Sequence, residues 1–71
     1  MTNLSAIVRA TRRSARALAD IQKISRIIRE YERLGDTAGA AAAYPILCSA
    51  QRRYERAQAT LAANPLPSDR A

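Results

Sequence analysis

At 71 residues with a net charge of +6, the chain is one domain at most and sits near the lower limit for an independent hydrophobic core. It has no Phe, Trp or His and a single cysteine, which excludes an internal disulfide and argues against a Cys/His metal site. Its 48% apolar fraction is inflated by alanine, which buries little area, so a lone monomer is expected to be weakly stable.

The charge is uneven along the chain. Met1 to Leu34 carries eight basic and three acidic residues, whereas the remainder carries four against three. Such asymmetry favours an anionic partner, either nucleic acid, an anionic membrane surface or an acidic protein; the plainer alternative, of equal weight, is a solvated arginine-rich face. The longest uncharged run, Thr37 to Gln51, is too short to span a bilayer and is interrupted by Gly39 and Pro45. No secretory signal pattern is present. Met1 to Ala19 is amphipathic, contains Arg and Ser and lacks acids, a composition shared with mitochondrial transit peptides, but its periodicity continues unbroken through Asp20.

The first element is predicted over about 4–34. Thr2, Asn3 and Ser5 offer N-cap oxygens, with Asn3 or Ser5 favoured. Ile7, Ala10, Ser14, Ala17, Ile21, Ile24, Ile28 and Tyr31 then recur at spacings of three and four, the pattern of a coiled-coil seam. The opposite face carries Arg9, Arg12, Arg16, Lys23, Arg26, Arg29 and Arg33. Gly35 is expected at the left-handed C′ position, and Asp36 or Thr37 caps the next helix at once. A connection this short makes antiparallel neighbours.

The second element is predicted over about 37–63, with Ala40, Ala43, Leu47, Ala50, Tyr54, Ala57 and Leu61 as its seam. Pro45 removes a backbone donor and disfavours helix at Tyr44, so the expectation is either one kinked helix or a helix restarting at Pro45. The kinked helix is preferred because Pro45 lies opposite the seam. Cys48 is expected to be a small, semi-buried helix residue. Asn64 and Pro65 end the element, and residues 65–71 read as a disordered tail, leaving 1–64 as the helical hairpin.

Folding the helices about Gly35 and Asp36 pairs Tyr31–Ala40, Ile28–Ala43, Ile24–Leu47, Ile21–Ala50, Ala17–Tyr54, Ser14–Ala57 and Ala10–Leu61. Most pairs set a small residue against a large one, which allows close packing without voids. The expected class is therefore all-α: an antiparallel two-helix hairpin, completed to a bundle by oligomerisation or by a partner. Leu4 and Leu18 flank the seam on one side, Ile27 and Leu34 on the other, and Tyr44 and Ile46 flank it on the second helix; all remain uncovered by it, which marks them as an apolar interface.

Two resemblances follow from these residues. Gly35-Asp36, Ala40, Tyr44 and Leu47 resemble the inter-helix portion of a tetratricopeptide repeat, although no second copy occurs and a stack needs about three units. The small/large layering of a short basic hairpin is also similar to the plasmid RNA-binding Rop proteins, which implies a dimeric hairpin. That likeness is one of architecture and is carried by no motif.

Enzymatic chemistry is not expected. There is no histidine, no glycine-rich phosphate loop and no carboxylate pair on one face, since Glu30 and Glu32 point in different directions; Ser14 and Ser25 read as small helix residues. No cofactor is implied. The candidate binding residues are Arg9, Arg12, Arg13, Arg16, Lys23 and Arg26 on the first helix with Arg52, Arg53 and Arg56 on the second. Arg52, Arg53 and Arg56 should converge on Arg16 at the end away from the turn. Guanidinium rows of this kind bind phosphate oxygens bidentately and track a nucleic-acid backbone. The composition thus points to a non-catalytic protein-interaction module, a phage- or bacterium-encoded regulator or assembly subunit docking on a larger macromolecule or on its own copies. The alternative is sequence-nonspecific nucleic-acid binding through the arginines. Adsorption to anionic lipid ranks below both, because the apolar residues of the first helix are too small for strong insertion. The expected location is the cytoplasm, or a virion if phage-encoded.

Overall fold

Two helices joined by a three-residue turn make up the structure: α1, Leu4–Arg33, and α2, Thr37–Ala63. The computed structural model describes residues 3–64, so the expected tail at 65–71 lies outside the described residues.

Each helix end has an identifiable chemical cause. Asn3 has extended backbone angles, and its side-chain oxygen accepts the Ala6 N–H at 3.0 Å, satisfying a donor that α1 itself leaves unpaired. At the other end Gly35 takes φ +75°. There the Asp36 N–H donates to the Tyr31 carbonyl at 2.8 Å and the Gly35 N–H to the Glu32 carbonyl at 3.1 Å. These are the two hydrogen bonds of a Schellman motif, which needs a residue without Cβ strain at its centre. Arg33, in the last turn, hydrogen-bonds Glu30, and that bond raises its pKa above the ordinary arginine value. Asp36 then serves a second purpose, because its carboxylate accepts the Gly39 N–H at 2.8 Å and so caps α2. One residue ends the reach of α1 and starts α2, leaving the connection no slack.

Helix α2 runs through Pro45 as one element. Pro45 and Ala41, whose carbonyl loses its helical donor there, are both exposed, so water can take the place of the missing hydrogen bond. Asn64 closes the helix, donating its side-chain amide to the Thr60 carbonyl at 3.0 Å.

All fifteen seam positions of the two helices are buried or half-buried. A seven-residue repeat stays on one side of a helix over such a length only if the helices wind gently around each other in a left-handed sense. The fully enclosed core is small-sided: Ala10, Ala17, Ala40, Ala43, Ala50 and Ala57, with Ile7 and Ile28 the only larger members. Ile28, Ala40 and Ala43 form one cluster, with Ile24, Tyr31 and Leu47 packed against it. This cluster holds both members of the pairs Tyr31–Ala40, Ile28–Ala43 and Ile24–Leu47, as the expected antiparallel pairing requires.

Gly39 explains how the helices close at the turn. A methyl placed there would lie 2.5 Å from Tyr31 Cδ1 and 2.6 Å from Cε1, and 2.9 Å from an Asp36 carboxylate oxygen. The aromatic ring therefore occupies the space that any larger residue would need. Gly39→Ala is accordingly expected to destabilise by up to about 2 kcal/mol, its overpacking cost only partly offset by helix propensity. In a Tyr31→Ala background, where only the Asp36 contact remains, the same change should cost at least about 1 kcal/mol less, a coupling readable in a denaturant double-mutant cycle. Ala50→Leu, at a fully buried position, should cost about 1–3 kcal/mol, whereas the exposed Arg12→Ala should stay within roughly 0.5 kcal/mol of the parent in the same measurement.

Candidate functional site

Two contacts between the helices identify the flanks of the seam. On one flank Arg53 Nη1 lies 3.4 Å from Asp20 Oδ2. On the other the Tyr44 hydroxyl donates to Glu32 Oε2 at 3.4 Å. Because flanking positions repeat every heptad, Arg13, Ile27 and Leu34 share the side of Asp20, and Ile46 that of Arg53. By the same count Leu4, Thr11, Leu18 and Ser25 share the side of Glu32. Leu18 and Ile27 thus belong to opposite flanks, and the exposed apolar residues do not form a single patch.

The Asp20/Arg53 flank carries the charge. At the end remote from the turn, Arg13 and Arg16 of α1 face Arg53 and Arg56 of α2 across an open groove of about 540 Å³, floored by Ala57, Ala59 and Thr60. Four guanidinium groups come together because the groove is lined by flank positions and by the positions one turn outside them. The Thr60 hydroxyl is turned back onto the Arg56 carbonyl at 3.1 Å, so the polar chemistry of the groove is that of its arginines. Of the four, only Arg53 has a carboxylate within 4 Å among the described residues. Arg52 is not in the groove, being on the back of α2, while Arg9, Arg12, Lys23 and Arg26 extend along α1 outside it.

The fold also redistributes charge along its long axis. The half remote from the turn, residues 3–19 and 50–64, holds seven arginines and one glutamate, a net charge of +6. The half near the turn, residues 20–49, holds four cations and four carboxylates and is neutral. The net charge of the described residues therefore resides at the open end.

Away from the turn the opposite flank is nearly free of charge, and nearer the turn it carries Arg29 and Glu32. From Leu4 to Ser25 its α1 positions are Leu4, Val8, Thr11, Ala15, Leu18, Gln22 and Ser25, and across the seam lie Tyr44, Cys48, Gln51 and Gln58, with Glu55 the one charge among them. Leu4 is 62% exposed, Val8 48%, Leu18 40% and Tyr44 46%. The Thr11 hydroxyl is bonded to the Ile7 carbonyl at 2.8 Å and so does not demand water. Val8 is an apolar residue that seam counting alone overlooks, and its signal is proximity to Leu4 one turn earlier. Cys48, expected to be semi-buried, is exposed. It follows the seam residue Leu47 directly, which rotates it about 100° away from the partner helix.

Among the described residues no group of three His, Cys, Asp or Glu side chains could hold a metal ion, and no helix is long and apolar enough to cross a membrane. Comparison with known proteins finds no matching family model, no matching curated protein and no matching solved structure. The Asp20–Arg53 pair is well exposed on both sides, so Asp20→Asn is expected to lower stability by less than about 1 kcal/mol in thermal or denaturant unfolding.

Proposed function

We propose that this hairpin is a non-catalytic interaction module that completes a helical bundle with other helices, its own copies first, through the flank bearing Leu4, Val8, Leu18 and Tyr44. The observation that carries this reading is the mismatch between what is buried and what is left outside. Six of the eight core residues are alanines, while seven large apolar side chains remain exposed. Large side chains contribute about 1.5–3 kcal/mol each when fully buried, and alanine much less. Covering the half-exposed leucines and Tyr44 would therefore supply stability that the hairpin's own seam lacks.

Electrostatics favours this flank for pairing between copies. Two arginine-bearing flanks would repel each other, and desolvating their guanidinium groups would be costly. The opposite flank, with Glu55 its one charge away from the turn and Arg29 and Glu32 nearer it, meets much less of either penalty. A binding role is further supported by the residue inventory, which offers no histidine to act as a base or nucleophile partner. In the cell, such a module would serve as a small regulator or as a subunit of a larger assembly.

Sedimentation at micromolar concentration is expected to give a dimer whose melting temperature rises with concentration. Leu18→Glu should yield monomer, because it places a charge in the desolvated interface, whereas Ile27→Glu on the opposite flank should leave the dimer intact. A cooperatively folded monomer of the parent chain would overturn pairing between copies, and dissociation by Ile27→Glu alone would move the interface to the other flank.

A further inference from the structure

We propose that the open end of the hairpin is a binding site for the phosphate backbone of a nucleic acid, seated in the groove between Arg13 and Arg16 on one side and Arg53 and Arg56 on the other. The site lies on the flank opposite the proposed helix-pairing surface, so the two inferences stand independently.

Three observations carry it. First, the groove brings arginines from two helices to one concave surface, and guanidinium forks match the paired oxygens of a phosphate. Second, these arginines are poorly neutralised from within. Arg13, Arg16 and Arg56 have no carboxylate within 4 Å among the described residues, and Arg53 shares Asp20 only at 3.4 Å in an exposed pair. Third, positive charge continues past the groove, with Arg9 one turn before Arg13 and with Arg12 and Arg52 on the adjacent faces. A single phosphate would neutralise a fraction of this +6 end, whereas a polyanion with regularly spaced charges can engage the groove and its extension together.

Other anionic partners fit less well. A lipid surface needs large apolar side chains beside the cations; only Ala57, Ala59 and Thr60 lie among the groove's arginines, and Leu4 and Val8 adjoin Arg9 alone, outside the groove. An acidic protein segment offers carboxylates at lower and less regular density than the charges of a duplex, which recur about every 1.7 Å along its axis. The mode of binding follows from what is missing beside the arginines. Tyr31 and Tyr44 lie near the turn and Tyr54 is in the seam, so no aromatic ring lines the groove for bases to stack upon. The contacts are to backbone phosphates, and recognition is tolerant of sequence.

The test is fluorescence anisotropy of the full chain with labelled 20-mers, duplex DNA and single-stranded RNA, titrated over salt, with poly-glutamate as the competing polyanion. Affinity should fall steeply with salt, and Arg13→Ala should reduce the logarithmic salt slope for the duplex by about one unit. The Arg13→Ala/Arg16→Ala/Arg56→Ala variant should bind at least about tenfold more weakly at low salt, whereas Lys23→Ala/Arg26→Ala/Arg29→Ala, an equal loss of charge outside the groove, should change affinity by less than about threefold. Asp20→Asn, which releases Arg53, should tighten binding by about two- to threefold, a gain that misfolding cannot produce. Equal losses from the two triple variants, no binding to either nucleic acid at low salt, or equal competition by poly-glutamate would each overturn the proposal.

Discussion

The tight connection between the helices is the constraint on which the remaining structure depends. Small–large pairing biases the register, since sliding one helix by a turn would set Ile28 against Leu47, but the alanines among the seam positions leave some freedom. The turn removes that freedom. Gly35 takes the left-handed conformation that stops α1, Asp36 caps α2 immediately, and the Tyr31 ring fills the space over Gly39. With no spare residue in the connection, the position of every side chain along both helices follows from this point. Arg53 then comes beside Asp20, and Arg56 joins Arg13 and Arg16 in one groove.

The same close approach limits what the hairpin can gain from its own core. Small seam residues let two backbones come together with few voids, yet they remove little apolar surface from water. Ile7 and Ile28 are the only large side chains in the buried set. Interactions across the flanks add little, since the Arg53–Asp20 and Tyr44–Glu32 contacts are both long and exposed. A scaffold of this kind has a well-determined geometry and a shallow energetic foundation, which is the physical reason that its less charged flank is suited to further packing.

Its two flanks have divided chemistry. One carries leucine, valine, tyrosine and neutral amides, and the other concentrates guanidinium groups at the open end. Because these surfaces are on opposite sides of the seam, packing on one leaves the other free. Two hairpins joined through the less charged flank would display their arginine grooves outward on either side, so that pairing would increase the number of anion contacts without bringing like charges together.

Much of this was readable from residues alone. The three–four spacing, Asn3, Gly35 and Asp36 were enough to place two antiparallel helices and their facing pairs, because caps and periodicity are local properties of the chain. Short connection length even implied that Arg16 would approach the second arginine cluster. Other features depended on which flank each residue joins, and that is a relation between two helices. Only the folded hairpin admits Arg13 to the groove and excludes Arg52, and sets Asp20 against Arg53. The charge offers the sharpest contrast. Along the chain it belongs to the first half, but folding lays Arg52, Arg53 and Arg56 beside the acid-free start of α1, while the four carboxylates of residues 20–49 cancel the cations near the turn. Sequence order determined how much charge this protein carries and on which helix faces; antiparallel packing decided at which end it accumulates, because proximity between α1 and α2 is set by the turn and not by position in the chain.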